Sequence, residues 1–384
     1  MKLVIRGLAF ASLAAMCLIT TSAVRADDDG DKSNRYVVTN LASDISNLTP
    51  NPADPVLQNA WGVAFTPGAS PFWISDNATG CSTLYDGAGV KAALQVQLPL
   101  PGGSVPATAC KHFDPKNPPN PTPAAPTGLV WNPTSGFLVP GTSLPAVFIW
   151  DTEDGTISAW AGGLNPADQA VLAVDNPNPT NGAVYKGLVF GVNAKNGVLL
   201  FATNFRAGTV DVFDHTYTKV TTDGGFADPR IPPGFAPFGI QNINGDLFVT
   251  YAKQNGAKHD DVAGPGNGFV DVFDTDGHLL RRFARRGPLN SPWAVARASY
   301  AFGRFSGDVL IGNFGNGEVN AFDSDGDFLG TLGDVKGKPL VIDGLWTLTL
   351  GGGKNSSSDT LYFAAGPNGE TDGLFGTITP VSDE

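Results

Sequence analysis

The stretch AKQNGAKHDDVAGPGNG, residues 252–268, sets His259, Asp260 and Asp261 side by side, with Lys253 and Lys258 close by. One imidazole beside two carboxylates can ligate a metal, or act as a general base with an orienting acid. His259 and Asp260 are therefore the candidate catalytic residues, although the same segment also reads as a solvated polar loop. The chain holds four histidines in all, so one placed among acids stands out. Arg206 is a candidate to meet an anionic group on a ligand. No nucleophile elbow with a Ser-His-Asp set, no CxxC metal ligands and no phosphate-cradling glycine loop opening a helix is present.

A second motif, Asp274-Thr275-Asp276-Gly277, begins as many calcium loops do, and Asp323-Ser324-Asp325-Gly326 repeats it. A helix-loop-helix calcium site also needs a Glu twelve places along and flanking helices, and neither is present. Aspartate and glycine there supply a hairpin turn and its positive φ, so a turn is expected.

The elements that must hold these residues emerge from an internal repeat. LLFATNFRAGTVDVFD (199–214), VLIGNFGNGEVNAFD (309–323), FWISDNATGCSTLYD (72–86) and VFIWDTEDGTISAW (147–160) align on a glycine. LFVTY leading to GFVDVFD, and LYFAAG leading to GLFGTITPV, are further copies with insertions. Gly80, Gly155, Gly208, Gly268, Gly317 and Gly373 recur about every 59 residues. Five places beyond each stands Tyr85, Trp160, Phe213, Phe273, Phe322 or Ile378. Alternation up to such a residue marks a strand with one buried face. A further apolar strand precedes each copy, and a weaker one follows each of the first five. Four antiparallel strands repeated six times make an all-β chain, a six-bladed β-propeller. The sixth copy has three strands, and RYVVTNLA near the start supplies the fourth, closing the last blade and removing both sheet edges. A seventh, degenerate blade in 100–125 is the rival, weakened by the lack of strand pattern in that Pro-rich stretch.

In such a ring the second strands end at Asp76, Asp151, Asn204, Tyr251, Asn313 and Gly366, which are expected around one mouth of the central channel. The first strands bring Trp61, Thr127, Lys186, Phe238, Trp293 and Trp346 near the same level. Asp76, Asp151 and Asn204 are candidate ligands for Ca2+ or another divalent metal. The plainer alternative is that each bonds the turn of its own blade. Trp61, Arg206, Tyr251, Lys253, His259, Asp261, Asn313 and Trp346 are the candidate ligand contacts, the tryptophans reading equally as packing.

Gly (48) and Pro (30) make about a fifth of the 384 residues, which suits a turn-rich β fold. Residues 1–26 read as a signal peptide: Lys2 and Arg6, then an apolar run from Leu8 to Ile19, then a cut after Ala26. Met16 before Cys17 argues against a lipoprotein signal. Residues 27–34 form an acidic leader, and 35–384 the propeller domain. Secretion, to the periplasm or the medium, is expected, without membrane insertion and as a monomer. The formal net charge of −12 argues against nucleic-acid binding. Once Cys17 is removed, Cys81 and Cys110 remain. In an oxidising compartment they either form a disulfide, worth roughly 3 kcal/mol on the chain-entropy model, or stay as two buried thiols.

TYAKQNGAKHDDVAGPGNGFVDVFD (250–274), RGPLNSPWAVA (286–296), IGNFGNGEVNAFD (311–323) and IDGLWTLTLG (342–351), with YVVTNLASD and NAWGVAF, resemble a family of exported bacterial β-propeller proteins. That family has no established activity, so the resemblance implies fold and location. Some of its members end in a Pro-Glu-Pro sorting tail; this chain ends in Val-Ser-Asp-Glu, which implies release. More distantly the blades are similar to NHL-repeat and gluconolactonase-like propellers. The latter hold a divalent metal with one Glu and Asp/Asn ligands, whereas none of the six mouth positions here is Glu. The expected function is a binding or scaffold module for a small polar ligand, glycan or protein at the mouth. The alternative is a metal-dependent hydrolase or lactonase using the same mouth.

Overall fold

A computed structural model describes residues 33–68, 70–177 and 181–382. The signal peptide and leader residues 27–32 lie outside the described residues. Six four-stranded antiparallel sheets form a six-bladed propeller. Strand β1 (Tyr36–Ser43) belongs to the last blade. Blade I is β2 (Ala60–Ala64), β3 (Phe72–Asp76), β4 (Cys81–Tyr85) and β5 (Val96–Gln97). Blade II is β6 (Pro126–Trp131), β7 (Phe148–Thr152), β8 (Thr156–Trp160) and β9 (Val171–Asp175). Blade III is β10 (Tyr185–Asn193), β11 (Gly197–Asn204), β12 (Thr209–Phe213) and β13 (Lys219–Val220). Blade IV is β14 (Phe235–Ile243), β15 (Asp246–Lys253), β16 (Phe269–Phe273) and β17 (Leu279–Arg285). Blade V is β18 (Pro292–Arg297), β19 (Val309–Asn313), β20 (Val319–Phe322) and β21 (Phe328–Thr331). Blade VI is β22 (Leu345–Leu350), β23 (Leu361–Ala365) and β24 (Leu374–Pro380), with β1 outermost. Among the described residues no helix is long and apolar enough to cross a membrane.

The ring closes as the repeat requires: β1 runs antiparallel to β24, with Tyr36 opposite Pro380 and Thr39 opposite Thr377. The 100–125 segment forms no blade. Instead the Cys81–Cys110 disulfide ties it to blade I, and Gln58 exchanges hydrogen bonds with the Phe113 backbone.

The repeated aromatic position faces the core throughout. Tyr85, Trp160, Phe213, Phe273, Phe322 and Ile378 are all buried, because blade faces are covered by the neighbouring blades. Trp73, Phe148, Trp150 and Trp160 fill the seam between blades I and II. The outer strands vary most in length, from two residues in β5 and β13 to eight in β1.

Asp274 and Asp323 do what a turn asks of them. Asp274 Oδ1 accepts from the Asp276 and His278 amides at 2.9 and 2.8 Å. Asp323 Oδ1 accepts from Asp325, Gly326 and Asp327, each at 2.9 Å. Gly277 takes φ +78°, a conformation glycine adopts without steric cost.

Every first strand carries an irregularity at the same place, between Ala60 and Val63, Pro126 and Leu129, Tyr185 and Leu188, Pro237 and Ile240, Pro292 and Ala294, and Leu345 and Thr347. A bulge re-aims the side chains beside it. Here it lets adjacent first strands touch around the axis: a Cβ on Gly62 would meet Thr127 O at 2.4 Å, and one on Gly128 would meet Leu188 N at 2.5 Å. The channel they leave is about 80 Å³, room for a few waters. Any larger ligand on the axis must bind at a mouth.

Candidate functional site at the channel mouth

The bulges place Trp61, Lys186, Phe238, Trp293 and Trp346 at one end of the channel. Trp61 and Trp346 stack with centroids 3.4 Å apart, and Phe314 stacks on the other side of Trp346 at 3.9 Å. Trp293 meets both indoles edge-on. With Phe205 and Phe238 they form one apolar cluster across the axis. Trp61 and Trp346 are each 1% exposed, so they are a floor on which polar groups rest.

Lys186 stands on that floor. Its ammonium lies 5.1 Å from the Trp61 centroid and 5.9 Å from that of Phe205, and it pairs with Glu153 of the β7–β8 turn. The Lys side chain is 3% exposed and the Glu 13%. Burial disfavours the ammonium, but attraction to Glu153 outweighs it and holds the pKa above the usual lysine value.

A chain of hydrogen bonds runs around the mouth from this pair. Asn77 Nδ2 donates to Glu153 Oε2 at 3.0 Å. Asn59 Nδ2 donates to Asn77 Oδ1 at 3.1 Å and to Glu370 Oε2 at 2.8 Å. Trp346 Nε1 donates to Asn59 Oδ1 at 2.8 Å. Blades I, II, III and VI are thus joined through polar side chains. Burial, then repulsion from Glu153, raises the Glu370 pKa to about 7.

The blade-four insertion reaches in from above. Gln254 Nε2 donates to the Phe205 carbonyl and lies 3.5 Å from that of the half-buried Arg206. Asn255 Oδ1 accepts from the His259 amide at 3.1 Å, and its Nδ2 donates to Asp260 Oδ2 at 3.1 Å. This turn aims His259 and Asp260 at Lys186 and Glu153. His259 Nδ1 is 2.6 Å from Asp260 Oδ1 and 3.9 Å from Glu153 Oε1, and Lys186 Nζ is 3.9 Å from Asp260 Oδ1. The bond to Asp260 raises the His259 pKa and lowers that of Asp260. With Nδ1 engaged, Nε2 is the nitrogen left for chemistry. Asp261 is raised by burial, and its Oδ2 is buried without a hydrogen-bond partner.

The strand-end residues lie elsewhere. Asp76 Oδ1 accepts from Thr83 Oγ1 at 3.0 Å. Asp151 Oδ1 accepts from Thr127 Oγ1 at 2.8 Å and the Gly128 amide at 2.6 Å. Asn204 donates to Asp211 Oδ2 at 3.1 Å, and Asn313 to Pro288 O at 2.8 Å. All four are buried; Asn204 and Asn313 also bond the turns that follow them, through Ala207 and Asn316, whereas the Asp76 and Asp151 side chains bond strand residues. Tyr251 packs between blades III and IV, and Lys253 is exposed on the rim. Glu153, Glu370, Asn59 and Asn77 were missed by the strand-end alignment.

Among the described residues, Glu153, His259 and Asp260 form the one cluster of three potential metal-ligand side chains, with ligand atoms within 4.8 Å of one another. It fits a metal poorly as placed. The Lys186 ammonium already occupies Glu153 Oε1, and the His259–Asp260 bond takes up the other two donors.

No family model matches the chain. It is 30% identical over 343 residues to the uncharacterized protein R648 of Acanthamoeba polyphaga mimivirus, spanning 87% of this chain and 78% of that one. The chain belongs to the R648 family. Mimivirus protein L690, also uncharacterized, is 29% identical over 332 residues, 85% of this chain and 81% of its own. Two solved structures share the fold of this R648-family chain, each with a TM-score of 0.50. A streptogramin B lyase is 12% identical and covers 90% of this chain and 97% of its own. A luciferin-regenerating enzyme is 11% identical and covers 90% and 96%. A gluconolactonase from Xanthomonas campestris is 15% identical over 85% of this chain and 88% of its own, at a TM-score of 0.49.

Proposed function

We propose that the mouth above the tryptophan floor binds a small, hydroxyl-rich ligand such as a sugar unit, free or carried on a glycan or protein. The observation that carries this reading is the buried Lys186–Glu153 pair, joined to Asn77, Asn59 and Glu370 and capped by His259–Asp260. Ordering so many polar groups on an apolar floor costs desolvation and side-chain entropy, and a propeller needs none of it to close. Four carboxylates face one lysine and one histidine, so acceptors dominate, and ligand hydroxyls are the complementary donors. We also read residues 1–26 as an export signal, which would carry the mouth to the periplasm or the medium.

Ligand-observed NMR with a panel of monosaccharides, sugar acids and sugar lactones tests the idea. Binding by one class that disappears in Lys186→Met supports it. A panel with no binder, or a binder indifferent to Lys186→Met, counts against it.

Hydrolysis of an ester or lactone is a second reading, favoured by the His259–Asp260 pair with Nε2 unengaged. The metal-dependent version requires Lys186 to leave Glu153. A metal assay on dialysed protein and an ester and lactone panel run with His259→Ala separate these versions.

A further inference from the structure

We propose that the cavity between blades III and IV is a second ligand site, independent of the mouth, for a neutral ring compound carrying one acceptor oxygen. The cavity measures about 360 Å³, within the range of small-molecule sites. Its outer wall is the β13–β14 connection, with Phe226, Ile231 and Phe235 and the prolines 229, 232 and 233. Proline rings fix φ, so this wall holds its shape without a ligand, which lowers the cost of binding. Tyr251 and Asp228 also line the cavity.

Tyr251 sets the polarity of the site. It is 4% exposed, and its hydroxyl has no hydrogen-bond partner. The other buried tyrosines all donate: Tyr36 to Phe302 O, Tyr85 to Asp54, Tyr185 to Asp211, Tyr217 to Phe137 O and Tyr362 to Gly87 O. A buried hydroxyl left unpaired destabilises a fold, so this exception points to a partner from outside the chain. Asp228 is not free to help: Arg282 holds it through two bonds of 2.7 and 2.6 Å.

One donor in a cavity walled by proline and phenylalanine calls for an acceptor oxygen on an apolar body. A carboxylate ligand would face Asp228, and the proline and phenylalanine wall offers a second charge no partner. A neutral ring alcohol, phenol or ketone meets each condition.

The test uses benzyl alcohol as probe, titrated into the isotope-labelled full chain at pH 7, with toluene and benzoate as analogues. Saturable shifts at Phe226, Ile231 and Tyr251, tighter for benzyl alcohol than for toluene by about fivefold, the worth of one neutral hydrogen bond, are expected. Benzoate should not bind. Tyr251→Phe, which keeps the ring, should erase the advantage over toluene without lowering the melting temperature, while Lys186→Met leaves it intact. Absence of saturable shifts, equal affinity for toluene and benzyl alcohol, or an advantage that survives Tyr251→Phe overturns the proposal.

Discussion

The Lys186 ammonium lies 5.1 Å above the Trp61 ring and shares its charge with Glu153, both side chains being almost out of solvent. Removing one member of such a pair strands the other, at a cost of about 3 kcal/mol or more. Lys186→Met should therefore lower urea-unfolding stability by about 3 kcal/mol, less whatever the slight exposure of Glu153 recovers. Adding Glu153→Gln should restore most of it. Restoration is the informative result: if the double variant is as weak as the single one, the loss came from lysine packing and the ion pair contributes little.

Tyr36 tests ring closure. Its ring stacks on Phe302 at 4.9 Å and its hydroxyl donates to Phe302 O at 3.0 Å, so β1 is anchored to blade V as well as to β24. Tyr36→Ala should cost about 3–5 kcal/mol, as large aromatic truncations do. Val37→Ala, one residue along on the outward face and 38% exposed, should stay within about 0.5 kcal/mol. Equal effects at the two positions in a denaturation series would mean that β1 does not close the ring.

These two residues also show what a reader of the sequence can and cannot see. Blade count, closure and the buried aromatic (Ile378 in the sixth copy) of each third strand follow from a period-two pattern repeated six times, and burial makes that pattern strict. The mouth obeys no such repetition. Alignment on Asp76 and Asp151 picks residues that face into the blade, whereas Asn77 and Glu153, one and two places on, face the channel end. Both lie just past their strand ends, Asn77 in a 3-10 turn and Glu153 in the β7–β8 turn, where the two-residue alternation of a strand no longer sets which way a side chain faces. Glu370 lies five residues past its strand, in a turn unlike the others, and no repeat could have located it. His259 and Asp260 were legible because an insertion breaks the pattern. The repeat sets Lys186 at the level of the mouth but not among the candidate contacts; the signal for it is there, a lysine where the other blades place an aromatic residue or threonine.

Asp151 ties stability to pH. Burial raises its carboxyl to about 7 against donors from Thr127 and Gly128 that pull it down. The folded chain keeps this proton up to about pH 7, while the unfolded chain releases it near 3.8. The folded state binds more protons between those values, so this group's contribution falls as pH rises from about 4 to 7 and levels off above. Each unit of difference is worth about 1.4 kcal/mol. Asp151→Asn keeps the oxygen that accepts from Thr127 and cannot ionise. The variant should gain at least about 1 kcal/mol over the parent on going from pH 4.5 to pH 8, read from urea midpoints. A parallel pair of pH curves would remove Asp151 as a source of the dependence.

The Cys81–Cys110 bond spans 29 residues and holds the Pro-rich segment beside Gln58, next to Asn59 of the mouth. Its removal by Cys81→Ala with Cys110→Ala should lower stability by about 3 kcal/mol. Because Gln58 bonds both Phe113 and the Thr371 carbonyl, the amides of residues 370–373 should also exchange faster with deuterium. Unchanged exchange there would confine the disulfide's influence to blade I.

His259 offers the most direct view of the mouth in solution. Its bond to Asp260 raises the imidazole pKa, burial opposes the rise and Glu153 adds to it. Among the four histidine resonances, that of His259 should therefore titrate above the ordinary value of about 6.5. Asp260→Asn should bring it down, because an amide stabilises the imidazolium far less than a carboxylate does. Glu153→Gln should lower it by less, since Glu153 acts across 3.9 Å without a bond. The sign carries into stability: a histidine raised on folding stabilises the folded chain below about pH 6.5, and this contribution fades as pH climbs through the folded value. In Asp260→Asn that fading should weaken. A His259 that titrates at or below the free value would mean the pair is not formed in solution, and hydrolysis would lose its base.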